Sequence, residues 1–340
     1  MSQQASRGVL VGAGFFARFQ AEAWQRIPAV KITAVADPVP GKARQFADEF
    51  GIPRVYESAE EMFDCERPDF VDIATRPEAH GELTKSAAQR GIHVICQKPM
   101  APTWDDCINM VVTCEAAGVR LLIHEDWRWQ PWYREARRLI EAGALGRVFQ
   151  LSAQWRTGDG RGAEPYQVQP YFRQMPRLLV YETLVHLLDT FRFLGGELDR
   201  VFCVNRRINP IIAGEDHSLI LVTFQSGTAG LIDANRISGP VPAPVAMNGL
   251  SIEGEAATLR LSPDGRLWLV EHGQSEREHS FPTSTEGYKG DSVRATQEHL
   301  LACLRSGQSS ESDGRDYLKT VQAVLACYRS AETGQAVTLD

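Results

Sequence analysis

The sequence has no CxxC pair, no run of basic residues and no internal repeat. Its apolar stretches fall short of the roughly 18 residues that a membrane-spanning helix needs. The seven cysteines, at 65, 96, 107, 114, 203, 303 and 327, are scattered, so neither a zinc knuckle nor a disulfide framework is suggested. Free thiols in a chain of this length fit a reducing cytoplasm. With 36 basic against 43 acidic residues the net charge is −7, and no basic patch offers itself to a nucleic acid. A small-molecule partner is expected, not a nucleic acid or a membrane. His124-Glu125-Asp126 carries metal-capable side chains, but neighbours on a strand point to opposite faces. No metal is expected.

Hydrophobic residues make up 43% of the 340 and charged residues 23%, an ordinary globular balance for two domains. Residues 9–17 are apolar behind Arg7, but Gly12, Gly14 and the following Arg18 make this a first strand and turn, not a leader. Strand and helix patterns alternate as far as residue 124. Apolar strands are read at 8–12, 31–37, 70–75, 92–96 and 119–124. Helices lie between them, two opened by the capping patterns Ser58-x-x-Glu61 and Thr103-x-x-Asp106 and one by Pro77. This predicts an α/β domain over 1–126 with a parallel, doubly wound Rossmann sheet. Residues 127–340 read as an α+β domain with a mostly antiparallel open sheet. Its signals are a strand at 148–155, a flexible loop at 157–162, a helix over 177–194, hairpins about Ser226-Gly227 and Pro263-Asp264-Gly265, and two closing helices. The last helix is expected to pack back on the first domain.

Gly12-Ala13-Gly14-Phe15-Phe16-Ala17 is a G-x-G-x-x-A between a strand and a helix. Gly12 permits a tight turn, Gly14 lets backbone approach a pyrophosphate, and Ala17 allows close helix–strand packing. The N–H groups near Phe15 and Phe16 would face the phosphates. Asp37 ends the second strand 20 residues after Ala17, where a carboxylate accepts hydrogen bonds from ribose hydroxyls. It would repel a 2′-phosphate, so NAD is expected as cofactor over NADP.

Cys96-Gln97-Lys98-Pro99, at the end of a Rossmann strand, resembles the Glu-Lys-Pro step of the glucose–fructose oxidoreductase / inositol dehydrogenase / rhizopine-catabolism (Gfo/Idh/MocA) family, with Gln97 in place of Glu. Thr75-Arg76-Pro77 with His80 looks like the family segment that passes near the cofactor, which implies cofactor contacts for these residues and for Gln97 and Lys98. Glu182-x-x-x-His186 looks like its D-x-x-x-H helix, with Glu replacing Asp, and residues 330–334 resemble its closing helix and turn. The resemblance covers nearly the whole chain. It implies an oxidoreductase acting on the CH–OH group of a sugar or polyol. The Gln-Lys-Pro step followed by Trp-Arg-Trp-Gln looks like a subgroup acting on pentoses such as apiose, giving the lactone. Relatives that cleave glycosides or reduce carbonyls, and a dinucleotide sensor without turnover, are the alternatives. The resemblance also implies a homodimer or homotetramer.

The same residues make chemical sense alone. Lys98 stands past the carboxyl end of a parallel strand, where open α/β sheets bind ligands, and an ammonium there can stabilise a developing alkoxide. Glu182 and His186, four apart, share one face of a regular helix. The carboxylate can orient the imidazole, which takes the hydroxyl proton as hydride leaves carbon for the nicotinamide. Trp127 and Arg128, then Trp155, then Tyr166, Tyr171 and Arg173 of a polar-aromatic segment unlike core, are read as substrate contacts or a covering loop. Interdomain packing is the competing reading for the tryptophans.

Overall fold

The computed structural model describes residues 5–246 and 248–339. The chain divides into two compact units, 1–129 with 284–319, and 130–283 with 320–340.

The first unit opens with β1 (Ser6–Val11), α1 (Phe15–Gln25), β2 (Val30–Ala36), α2 (Lys42–Phe50), β3 (Arg54–Tyr56) and α3 (Ala59–Glu66). It continues through β4 (Phe70–Ile73), α4 (Pro77–Ala88), β5 (His93–Gln97), α5 (Trp104–Ala116) and β6 (Leu121–His124). The strands form one parallel sheet in the order β3-β2-β1-β4-β5-β6. Val9, Leu10, Val71, Ile73, Val94 and Ile95 are buried without alternation, as required when helices cover both faces. Ser58 and Thr103 cap α3 and α5 by accepting from the N–H groups of Glu61 and Asp106. The strand order reverses beside β1, whose carboxyl end lies between those of β2 and β4, and this opens the crevice in which such sheets hold ligands.

Later in the chain come α8 (Ser292–Ser306) and α9 (Gly314–Thr333). Leu300 and Leu301 of α8 join Ala21 and Trp24 of α1 in one core cluster. Gln297 Nε2 donates to the Gln20 carbonyl at 3.1 Å, and Arg26 pairs with Asp291. These contacts bring 284–319 into the first unit, so a single cut after residue 126 does not describe the division.

Asp72 of β4 is fully buried under α1. Its Oδ1 accepts from Gln20 Nε2 at 2.8 Å and its Oδ2 from Trp24 Nε1 at 2.7 Å. Burial pushes its pKa up to about 7 although both donors pull the other way. The folded state therefore keeps a proton that the unfolded chain releases near pH 4. Stability contributed here falls as pH rises from about 4 to about 7 and is level above that. Asp72→Asn should remove this slope and raise stability above pH 7, by a few kcal/mol at most. Gln20 Oε1 has no partner among the described residues and can turn to accept from the new amide. Urea unfolding at pH 5 and pH 8 checks this, and equal loss of stability at both pH values would refute it.

The second unit contains α6 (Pro131–Glu141), β7 (Val148–Arg156), α7 (Val185–Gly195), β8 (Leu198–Arg206), β9 (His217–Phe224) and β10 (Ala229–Asn235). After these come β11 (Asn248–Gly254), β12 (Ala257–Leu261), β13 (Leu267–Glu271), β14 (Arg277–His279) and β15 (Val337–Thr338). They make an open sheet ordered β14-β13-β12-β11-β7-β10-β9-β8-β15. Neighbours are antiparallel except β7 with β10. The β9–β10 and β12–β13 hairpins are those the turn signals predict, and β8, β11, β14 and β15 complete the sheet. Along β9 buried and exposed residues alternate, so the sheet has one packed face and one open face.

Two local expectations need correction. The segment before α7 is a π-helix, Leu179–Leu184, and not a continuation of the α-helix. Its first N–H groups are satisfied by Glu215, whose carboxylate accepts from Leu178 and Val180. The loop at 157–162 is pinned, not flexible. Gly160 N–H donates to the Arg236 carbonyl at 2.9 Å, and Asn209 Nδ2 donates to the carbonyls of Gly160 and Gly162.

Candidate active site

The site residues fall into two groups, one in each unit. In the first, β1 ends in Gly12 with φ +98°, and a Cβ there would lie 2.7 Å from the Ala74 carbonyl oxygen. Only glycine fits. Gly14 caps α1 with no side-chain bond, no acidic residue stands in the first turn, and a Cβ on Gly14 would meet nothing within 4 Å. Open space before an uncapped helix N-terminus suits an anion. Ala17 is fully buried against the sheet, and Phe15 and Phe16 frame the first turn. Gly12→Ala should cost about 1–3 kcal/mol of stability from backbone strain and also abolish dinucleotide binding. Gly14→Ala should fold as well as the parent yet bind NADH more weakly. Thermal unfolding and NADH fluorescence check the contrast, which fails if Gly14→Ala binds as the parent does.

Asp37 follows β2 and is nearly buried. Its Oδ2 accepts from Ala13 N–H at 2.9 Å and lies 3.0 Å from Lys42 Nζ, while Oδ1 accepts from Val39 N–H at 3.0 Å. Burial alone would raise its pKa. The two N–H donors and the ammonium outweigh burial and hold the carboxyl below its usual value. A charged acceptor at this position fits the ribose of NAD.

Thr75 and Arg76 lie between β4 and α4, with Pro77 at the first helical position. Thr75 Cγ2 stands against Gly12. His80 is fully buried, and its two ring nitrogens meet the Met100 and Thr75 carbonyls at 3.1 and 3.2 Å. Burial lowers its pKa against the pull of these carbonyls. His80 thus ties the loop after β4, where cofactor contacts are expected, to the loop after β5. Gln97 ends β5, and its Oε1 accepts from Lys98 N–H at 2.7 Å while Nε2 lies 3.5 Å from Nδ1 of His124. Burial pushes His124 down to about 4, so this imidazole is neutral. Lys98 follows with partial exposure, one residue beyond the strand. Trp127 and Arg128 form a short 3-10 turn after β6. Both are buried, and Arg128 Nη1 donates to the Glu311 carbonyl at 2.9 Å. That bond anchors the guanidinium.

The residues match family profiles over both parts of the chain. Residues 6–125 match the oxidoreductase family with an NAD-binding Rossmann fold, and residues 133–260 match the GFO/IDH/MocA C-terminal domain. The chain belongs to the Gfo/Idh/MocA family. Its first unit is an NAD-binding Rossmann domain and the protein is an oxidoreductase. A D-apiose dehydrogenase of Paraburkholderia graminis is 36% identical, covering 98% of this chain and 89% of the relative. One from Rhizobium rhizogenes is 33% identical, covering 100% and 99%. The crystal structure of an oxidoreductase from Agrobacterium radiobacter, in complex with NAD+, L-tartaric acid and magnesium, superposes with TM-score 0.91 at 32% identity, covering 98% of both chains.

In the second unit the family's helix carries Glu182 in the π-helix and His186 in the first turn of α7. A π turn closes on the fifth residue rather than the fourth, so the spacing of four does not follow one α-helical face. The sequence pattern could not show this. Glu182 Oε2 accepts from Thr183 Oγ1 at 2.7 Å, and Arg236 Nη1 lies 3.7 Å away. Arg236 also donates to Thr183 Oγ1 at 3.1 Å and pairs with Asp159. Its guanidinium lies over the rings of Tyr166 and Phe172, at 4.7 and 5.0 Å. Sequence reasoning missed Arg236, whose one signal was a charge directly after an apolar strand.

Tyr166 and Phe172 pack with Leu178 and Ile212 in a small core, so the segment read as unlike core is partly core. Burial pushes the Tyr166 phenol above its usual value. Tyr171 and Arg173 are half-buried. Gln169 donates to the Tyr171 hydroxyl at 2.9 Å, and Arg173 Nε donates to the Pro165 carbonyl at 2.7 Å. Trp155 is buried at the end of β7. Among the described residues no group of His, Cys, Asp and Glu is arranged to hold a metal. No helix among them is long and apolar enough to cross a membrane.

Proposed function

We propose that this enzyme oxidises a hydroxyl-bearing carbon of a pentose, D-apiose foremost, to the lactone with NAD. The observation that carries the reading is Lys98 at the carboxyl edge of the sheet that also presents the Gly12 turn and Asp37. Strands lie about 4.8 Å apart, so the end of β5 is roughly 10 Å from that of β1. Asp37 takes the adenosine side of the dinucleotide, and Thr75, Arg76, Gln97 and Lys98 remain for the other. The full-length relatives named D-apiose dehydrogenase support the choice of sugar.

The bound dinucleotide supplies a hydride acceptor. Lys98 donates a hydrogen bond to the alcohol oxygen and stabilises negative charge as it develops. His186 takes the hydroxyl proton at an imidazole nitrogen. Glu182, held by Thr183 and Arg236, steers His186. Tyr171 and Arg173, the partly exposed members of their segment, contact the sugar. Trp127 and Arg128 in the first unit, and Trp155 and Tyr166 in the second, are buried residues that support their own unit's share of the substrate contacts.

The open face of the sheet supports association into a homodimer or homotetramer. Leu231, Leu221 and Phe202 sit directly opposite one another on β10, β9 and β8, and Leu221 is 53% exposed. Six of the seven thiols are buried and all are free, which suits the cytoplasm.

The test incubates purified protein and NAD with D-apiose, D-xylose and inositols, follows the absorbance of reduced cofactor, and identifies the product. Turnover greatest on D-apiose with lactone formed is expected. Tight NAD binding without turnover on any sugar or polyol would instead favour a sensor.

A further inference from the structure

Three donors converge on the Asp37 carboxylate: the N–H groups of Ala13 and Val39 and the ammonium of Lys42. Two backbone N–H groups and a cation around one carboxylate make an anion site that the chain fills with its own side chain. Asp37 is nearly buried, with 6% of its side chain exposed, whereas the Lys42 side chain is 41% exposed. Lys42 opens α2 immediately after Gly41. That glycine adopts a left-handed conformation with φ 76°, and a Cβ on it would meet nothing within 4 Å. Lys42 N–H is itself held by the Val39 carbonyl at 3.1 Å, so the turn between Asp37 and α2 fixes where the side chain begins.

We propose that Lys42 sets the discrimination between NAD and NADP. The inference rests on Asp37 being the ribose acceptor. A bare carboxylate repels a 2′-phosphate strongly, but the Asp37–Lys42 pair carries no net charge. Its cation is the exposed member. A 2′-phosphate would draw the ammonium away from Asp37, and a 2′-hydroxyl would leave the pair in place. The chain therefore prefers NAD without excluding NADP. If the carboxylate is removed, the two N–H groups and the ammonium are left as a ready site for the phosphate.

The test measures binding of NADH and NADPH to the full chain by nucleotide fluorescence, without substrate. The parent is expected to bind NADPH more weakly than NADH, by up to about a hundredfold. Lys42→Met should weaken NADPH about a further tenfold relative to NADH, and Lys42→Arg should restore the parental ratio. Asp37→Ser should weaken NADH and move the ratio at least tenfold toward NADPH, a gain that Lys42→Met abolishes. A ratio unmoved by Lys42→Met in both the parent and the Asp37→Ser background overturns the role of Lys42. NADH binding unchanged in Asp37→Ser overturns the ribose assignment instead, and with it this proposal.

Discussion

Replacing Lys98 or His186 by Ala is expected to lower kcat by about 10²–10⁴-fold, with NADH binding close to parental for the His186 variant and weakened for the Lys98 variant. The two losses differ in origin. Lys98 is partly exposed after β5, and truncating it removes a cation from the position where an alkoxide forms. His186 lies in the first turn of α7, a helix whose own residues, Leu187, Leu188 and Phe191 among them, are buried along almost its whole length. If both act on one hydroxyl, the double variant should lose less than the product of the single losses, because groups that act as a unit are not additive. Steady-state kinetics with NAD and D-apiose measures all three variants. Retention of kcat within a small factor by either single variant would remove that residue from the mechanism.

Arg236→Met is expected to destabilise the protein by about 3 kcal/mol and to lower kcat as well. Arg236 is 8% exposed and sits between Asp159, Thr183 and Glu182, with two aromatic rings against its plane. Truncation leaves the Glu182 and Asp159 carboxylates without their cation, and breaking a buried pair on one side costs more than the pair contributes. Partial exposure of Asp159 keeps the figure at the lower end of that range. Arg236→Lys keeps the charge but loses the fork that reaches Asp159 and Thr183 together, so an intermediate loss is expected. Urea unfolding gives the stability. The pH dependence of kcat reports an effect on the reaction itself, which a purely structural role would leave unmoved. A change below about 0.5 kcal/mol with an unaltered pH profile would contradict this account.

How much of the site was legible depends on how local its signals are. Gly12, Gly14, Ala17 and Asp37 announce themselves because a phosphate-binding turn needs particular residues at fixed offsets within one βαβ unit, and the structure places them on one edge of the sheet. His80 carries a family pattern, and only the structure shows that its ring lies buried between the Met100 and Thr75 carbonyls, because a motif does not say what surrounds its side chains. The burial of Tyr166 is hidden from the sequence for a related reason. Its neighbours are polar, and its burial comes from Leu178 and Ile212, distant in sequence.

The sequence by itself determined the parallel α/β order of the first 124 residues, the glycine turn after β1 and the resemblance to the family to which the chain belongs. Each rests on periodicity or on short-range backbone geometry, which neighbouring residues dictate. Tertiary structure alone decided that 284–319 packs on α1, that a π turn precedes α7, and that Arg236 and Lys42 stand against the carboxylates of Glu182 and Asp37. A charge finds its partner through the fold and not through sequence spacing. Burial then decides whether that pairing matters, because away from water the same two groups attract far more strongly.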